Sequence, residues 1–327
     1  MEGINVLSLF DGISCGQVAL ERAKVCVNNY FASEIEPNAI KITQKNYPNT
    51  IQLGDVTKLN LSELPKIDLL IGGSPCQGFS FAGKQLNFND ERSKLFFEFV
   101  KILRELKPKY FLLENVKMKQ EYQDIITKEL GVEPIQINSS DFSAGLRPRI
   151  YWTNIPILEW KDKGIKLLDI LESNVEEKYF ISEKKKAFIK RHKVKLQFPR
   201  DKAFTIPAQF WKQGKQECRN LILDNGAWRR FTPIEVEKIH TLSDNYTEGI
   251  SDTQRYATCG NGWTVEVIAH IFKGLFNSSP ITSTLPNGNP NGEFNKGLEV
   301  SATPTPKSNP TDLTSPNPNI KEQEKEK

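Results

Sequence analysis

The stretch IDLLIGGSPCQGFS, residues 67–80, frames the rest of the chain. Residues 67–71 form the apolar run that a strand buried on both faces requires. Gly72 and Gly73 let the backbone break sharply there. Ser74, Pro75, Cys76 and Gln77 follow. In an open α/β sheet the loops beyond the strand ends build the active-site crevice. A cysteine lifted onto that rim by glycine and held by proline is placed as a nucleophile. The competing reading is a small buried hydrophobe, the usual state of a free cysteine.

Outward from this strand, the units on either side repeat one pattern. Residues 5–10 read as a strand, followed by a Gly-containing turn and a helix over 17–23. Only Gly12 and Gly16 stand in that turn, so the dinucleotide fingerprint is absent and a pyrophosphate grip is disfavoured. A second strand, 30–33, ends at Glu34, where a carboxylate can accept from both ribose hydroxyls or cap the helix that follows. A third, 50–53, ends at Asp55 and Val56, suited to an exocyclic amine and a base face. Downstream come a helix over 92–106 and a strand over 110–113 ending at Glu114. A helix over 118–130 follows, then a strand near 133–137 and another opened by Arg147-Pro148-Arg149. Residues two apart on a strand share a face, so these two arginines point one way. Adjacent strand ends put Cys76 and Glu114 on one rim. The fold class is α/β: a doubly wound, mostly parallel sheet of the Rossmann-like type.

Alternation stops between residues 157 and 228, where sixteen Lys and Arg face ten Asp and Glu. Nine basic residues and one acid fall within 184–202. Aromatic and amide side chains are interleaved with that charge. The combination suits phosphate contact and base-edge reading, or else a solvated lysine-rich helix face. Order returns at 229, with Thr232-Pro233-Ile234-Glu235 written as a helix start. A last helix with an apolar face opens after Gly260. The domain plan is therefore 1–156 and 229–276 for a catalytic domain, 157–228 for a target-recognition region, and 277–327 for a disordered tail rich in Asn, Pro, Ser and Thr. Five cysteines in no CxxC pairing disfavour a disulfide framework or a metal site. No apolar run is long enough to span a membrane, and residues 1–10 lack the features of a signal peptide. A monomer in the cytoplasm of a bacterium or phage-infected cell is expected.

Taken together, LFDGISCG, the acid of ASEIE, GDV, GGSPCQGFS, LLENV, RPRIYW and GNGWTVEV resemble the cytosine-5 DNA methyltransferase family, in order and spacing, from Val6 to about Phe276. Trp263 and RPRIYW are closer to the branch that includes animal de novo methyltransferases. The resemblance implies Cys76 as nucleophile, Glu114 at ring nitrogen 3 and the amino group of cytosine, and Arg149 with Arg147 at its oxygen edge and the loop. It implies an S-adenosylmethionine pocket lined by Phe10, Asp11, Gly12, Ile13, Gly16, Glu34, Ile35, Asp55, Val56, Ser74 and Leu95, and closed by Asn261 and Trp263. Double-stranded DNA is the implied partner, met by Gln77, Ser80, Lys184, Lys185, Lys186, Arg191 and Arg200. The chain departs from the family at Cys15, Gly145, Thr258 and Trp263. A tRNA cytosine-5 methyltransferase is disfavoured because its Cys-Phe-Thr element is absent. A non-catalytic DNA-binding relative has little need of both Cys76 and Glu114. A nicotinamide oxidoreductase is disfavoured by the missing third glycine.

Overall fold

The computed structural model describes residues 3–75, 91–196, 200–212, 214 and 217–276, with the side chains of 91–93 and 217 excepted. Cys76, Gln77, Ser80, the loop over 79–90 and the tail over 277–327 lie outside the described residues.

Seven strands form one sheet: β1 (Ile4–Leu9), β2 (Val27–Ser33), β3 (Ile51–Gln52), β4 (Leu69–Gly72), β5 (Tyr110–Val116), β6 (Ile135–Asn138) and β7 (Pro148–Thr153). Their spatial order is β3-β2-β1-β4-β5-β7-β6. Five strands pair in parallel through β1 and β4. β7 runs antiparallel to both of its neighbours, β5 and β6. The strand order reverses between β1 and β4, the switch point where such sheets open a crevice beyond their carboxyl ends.

Alternation along the strands explains the two core layers. Val6, Leu69, Ile71 and Leu112 point to one face. There they meet α1 (Cys15–Arg22), α2 (Pro37–Asn46) and α8 (Val265–Phe272). Leu7, Leu9, Leu70, Phe111 and Leu113 point to the other face. These pack on α3 (Glu91–Leu106) and α4 (Gln120–Leu130). Phe96, Phe99 and Ile102 of α3 are fully buried, as their helical spacing predicts. The apolar helix α8 packs on α1, so the end of the described chain closes over its beginning.

The described residues of 157–228 include the helix α5 (Glu183–Arg191), several short 3₁₀ turns and the start of a hairpin. The hairpin joins β8 (Ile222–Asp224) to β9 (Ala227–Arg229). Its turn residues, Asn225 at φ 47° and Gly226 at φ 82°, are both left-handed, as a two-residue type I′ turn demands. This region also supplies Leu167, Ala203, Ile206, Phe210 and Ile222 to the core layer beneath α8. Beyond it stand α6 (Pro233–Ile239) and α7 (Asp252–Asn261). The expected helix start at Thr232 is present as a full capping box: Thr232 Oγ1 accepts from Glu235 N, and Glu235 Oε2 accepts from Thr232 N. Buried Glu235 also takes two hydrogen bonds from Arg229, both at 2.8 Å.

Candidate active site

A cavity of about 390 Å³ opens beyond the carboxyl ends of β1, β2, β4 and β5, within the size range of small-molecule sites, roughly 300–1,000 Å³. Its wall includes Phe10, Gly12, Ile13, Glu34, Ile35, Asp55, Val56, Ser74, Leu95, Glu114, Arg147, Arg149 and Asn261. Those residues come from eight separate parts of the sequence.

At one end of the cavity the chain leaves β1 through three left-handed residues, Phe10 at φ 58°, Gly12 at 61° and Ser14 at 58°. Such a conformation is strained for Phe10, and such residues cluster at functional sites. Glu34 secures this turn. Its Oε2 accepts from Gly12 N at 2.7 Å, and its Oε1 accepts from Ile35 N and Glu36 N at 2.7 and 2.9 Å. A carboxylate has about four acceptor sites, so three amides leave Glu34 able to take a further donor. Asp55 is engaged locally: Oδ1 accepts from Thr57 N and Thr57 Oγ1, and the first of these bonds is the main cause holding its carboxyl below the ordinary value.

Three residues expected in the cofactor set, Asp11, Gly16 and Trp263, are not part of that wall. Asp11 accepts from Ser14 Oγ at 2.6 Å and Tyr30 Oη at 2.8 Å, so its carboxyl ties the turn to β2. Burial pushes that carboxyl up to about 6. Gly16 lies in α1, where a Cβ would come within 2.6 Å of Ile71 Cδ1 and Tyr30 Oη. Its role is to let the helix touch the sheet.

At the other end stands Glu114, 8 % exposed. Its neighbour across the sheet is β4: Gly72 pairs with Leu113, so Glu114 emerges beside Gly73. β7 supplies the partner. Arg149 pairs with Val116, two residues from Glu114 and on the same face, and its Nε meets Glu114 Oε1 at 2.8 Å. Asn115 turns the other way and donates to Ser74 Oγ at 3.2 Å and Ser74 O at 3.4 Å. β5 thus anchors the start of the loop that leads to Cys76. Arg147 lies on the wall but spends its guanidinium elsewhere. Nη2 donates to the carbonyls of Gly260 and Gly262, and Nη1 to that of Ile206, so it braces the turn before α8. Burial, then the charge of Arg149, lowers it to about 9. Trp263 donates from Nε1 to Glu114 Oε2 at 3.1 Å, a contact with no local sequence signal.

Of the DNA-contact expectations, Lys184, Lys186 and Arg191 are exposed on α5, which buries no residue. Lys185 is half-buried beside the Phe188 ring. Arg200 departs from the expectation. It donates to Asn220 Oδ1 and Leu221 O and lies over the Phe204 ring, an inward position that lowers it to about 10 by burial. Among the described residues no group of His, Cys, Asp and Glu could hold a metal ion, and no helix is long and apolar enough to cross a membrane.

A doubly wound sheet with one antiparallel strand, a cavity at its switch point and carboxylates at the ends of β2 and β5 define a Rossmann-like methyltransferase. The chain belongs to the C-5 cytosine-specific DNA methylase family, whose model matches residues 4–131 and 138–277, and its activity is that of a DNA cytosine-5 methyltransferase. It is 31 % identical over 299 residues to the Type II methyltransferase M1.ScrFI of Lactococcus lactis subsp. cremoris, covering 80 % of this chain and 75 % of that protein. It is 31 % identical over 300 residues to the Type II methyltransferase M.NlaX of Neisseria lactamica, covering 81 % and 94 %. The fold resembles that of the solved Entamoeba histolytica methyltransferase EhMeth, with TM-score 0.70, 22 % identity, and coverage of 85 % of this chain and 99 % of that one.

Proposed function

We propose that the chain methylates carbon 5 of a cytosine flipped out of double-stranded DNA, through a covalent bond from Cys76 to carbon 6. The reading rests above all on one observation: Glu114, gripped by Arg149, shares a cavity wall with Glu34. One carboxylate serves the base and the other serves S-adenosylmethionine. The wall fits that cofactor. Glu34 retains acceptor capacity for a ribose hydroxyl, Gly12 brings bare backbone to the cavity, and Phe10, Val56 and Leu95 offer an apolar slot. When bound, S-adenosylmethionine supplies an electrophilic methyl group on a positively charged sulfur.

Carbon 5 of cytosine is a weak nucleophile until a thiolate adds to carbon 6 and makes the ring an enamine. Cys76 fills that role. Of the other cysteines, burial pushes the Cys15 thiol up to about 12 and the Cys259 thiol well above its ordinary value, so both stay protonated. Negative charge developing on the ring is met at nitrogen 3 by Glu114 and at the oxygen edge by Arg149. After carbon 5 is methylated it loses its proton, the carbon–sulfur bond breaks, and the thiolate leaves. A stacked base is out of reach, so the cytosine must be extruded, at a cost of a few kcal/mol. Residues 157–228, with exposed lysines on α5, serve as the target-recognition region. The chain acts as a monomer in the cytoplasm, and the Type II relatives favour a place in a restriction–modification system.

A duplex carrying 5-fluorocytosine tests the reading, because fluorine cannot leave as the proton does. A cofactor-dependent adduct on Cys76 is expected, absent with Cys76→Ser. DNA methylation without such an adduct would sink the covalent route, and methylation of a tRNA offered in parallel, but not of DNA, would sink the substrate.

A further inference from the structure

We propose that Trp263 is a positioning residue for Glu114, its indole N–H fixing the carboxyl so that one edge is turned to the base. The proposal rests on the reading of Glu114 given above.

Glu114 is held from two sides, by Arg149 Nε on Oε1 at 2.8 Å and by Trp263 Nε1 on Oε2 at 3.1 Å. Both partners are donors only. A proton carried by Glu114 can therefore lie along neither of these contacts. It is confined to the remaining lone pairs, on the side away from Arg149 and the indole. Without the indole N–H, the carboxyl gains an idle orientation, with its own O–H turned to where the indole was.

The surroundings keep the ring in place. Trp263 sits in the turn between α7 and α8, and Arg147 ties down the carbonyls of Gly260, in the last turn of α7, and of Gly262. Val265 N, just beyond, donates to His240 O. The far edge of the indole reaches α1, where a Cβ on Gly16 would be 3.7 Å from Cζ3. Gly73 opens the space in which the contact forms. A Cβ there would lie 3.1 Å from both Glu114 Oε2 and Trp263 Nε1. The strand end leading to Cys76, the acid on β5 and the turn before α8 therefore meet at one hydrogen bond between residues 149 positions apart.

The test separates turnover from binding. Trp263→Phe keeps a ring and removes the donor. The expected result is kcat lowered by about tenfold or more, with KM for S-adenosylmethionine and for DNA within about twofold of wild type. In a Glu114→Gln background the same change should cost less than about twofold, because coupled residues are non-additive. A raised KM for S-adenosylmethionine with kcat intact would overturn the proposal, since the indole would then serve only the cofactor. An undiminished tenfold loss in the Glu114→Gln background would overturn it too. If Trp263→Phe does not fold, benzothienylalanine at 263 replaces N–H by sulfur at nearly constant shape, and wild-type kcat there is fatal to the idea. Wild-type kcat in Glu114→Gln alone would instead refute the reading of Glu114 itself.

Discussion

Asp11 shows how a residue can be right for its motif and serve a different purpose. Its position beside Gly12 suggests cofactor contact, yet its carboxyl is turned inward onto Ser14 and Tyr30. Burial raises it from 3.8 to about 6. Between those values the folded chain holds a proton that the unfolded chain has released. Its contribution to stability is thus fully present below about pH 4 and is lost as pH rises through about 6. His240 has the opposite sign. Burial, then the charge of Arg147, lowers it to about 3. Its contribution is present above about pH 6.5 and is lost as pH falls. Unfolding free energies of Asp11→Asn and His240→Gln, each subtracted from wild type between pH 4 and 6.5, should slope in opposite directions. The Asp11 difference should not exceed about 3 kcal/mol. A flat difference for either variant would show that its group titrates in the folded chain as it does in the unfolded one. Glu34 and Glu114 were legible because a carboxylate at a strand end is a local signal. The N–H of Trp263 and the carbonyl partners of Arg147 were not, because their partners lie far away in sequence.

At the level of elements, hydrophobic alternation and turn residues located every strand of the large sheet and its flanking helices. They did not give the direction of β7, which depends on pairing with β5 and β6 rather than on its own residues. That direction matters, because the antiparallel register is what brings Arg149 diagonally onto Glu114. The hairpin at Asp224-Asn225-Gly226 carried a usable turn signal, but its three-residue strands are too short to show alternation. Packing between elements is less legible still. Gly260 in α7 would place a Cβ 2.4 Å from Ala208 N and 2.5 Å from Pro207 C. Those are backbone atoms, unable to step aside as a side-chain tip can. Gly260→Ala should therefore prise residues 207–208 off α7 and lower stability by at least the 1–3 kcal/mol or so usual for overpacking. An unchanged thermal midpoint would mean that this packing is not held in solution.

Across the whole molecule, charge separates where the core does not. Residues 157–228 share a buried layer with the sheet through Leu167, Ile206 and Ile222. Their surplus of positive charge instead gathers on α5 and the residues after it. The cations there are not equivalent. Lys186 is paired with Glu183 at 2.6 Å, and Arg200 is turned inward to Asn220 and Leu221. Lys184, Lys190 and Arg191 remain on an exposed helix with no buried side chain. A helix with no fully buried residue gains little from packing, as expected if its cations are kept for phosphates. DNA binding should then weaken steeply with salt, and removing one cation that neutralises a phosphate should flatten the log–log slope by about 0.9. Replacing Lys184, Lys190 and Arg191 by Gln together should reduce that slope by up to about 3. Melting should be little altered, because exposed charges contribute little to stability. Titration of a labelled duplex from about 50 to 200 mM salt decides the matter. If wild type and the triple variant share one slope, α5 is ordinary solvated surface, and the phosphate-binding groups must be sought elsewhere in residues 157–228.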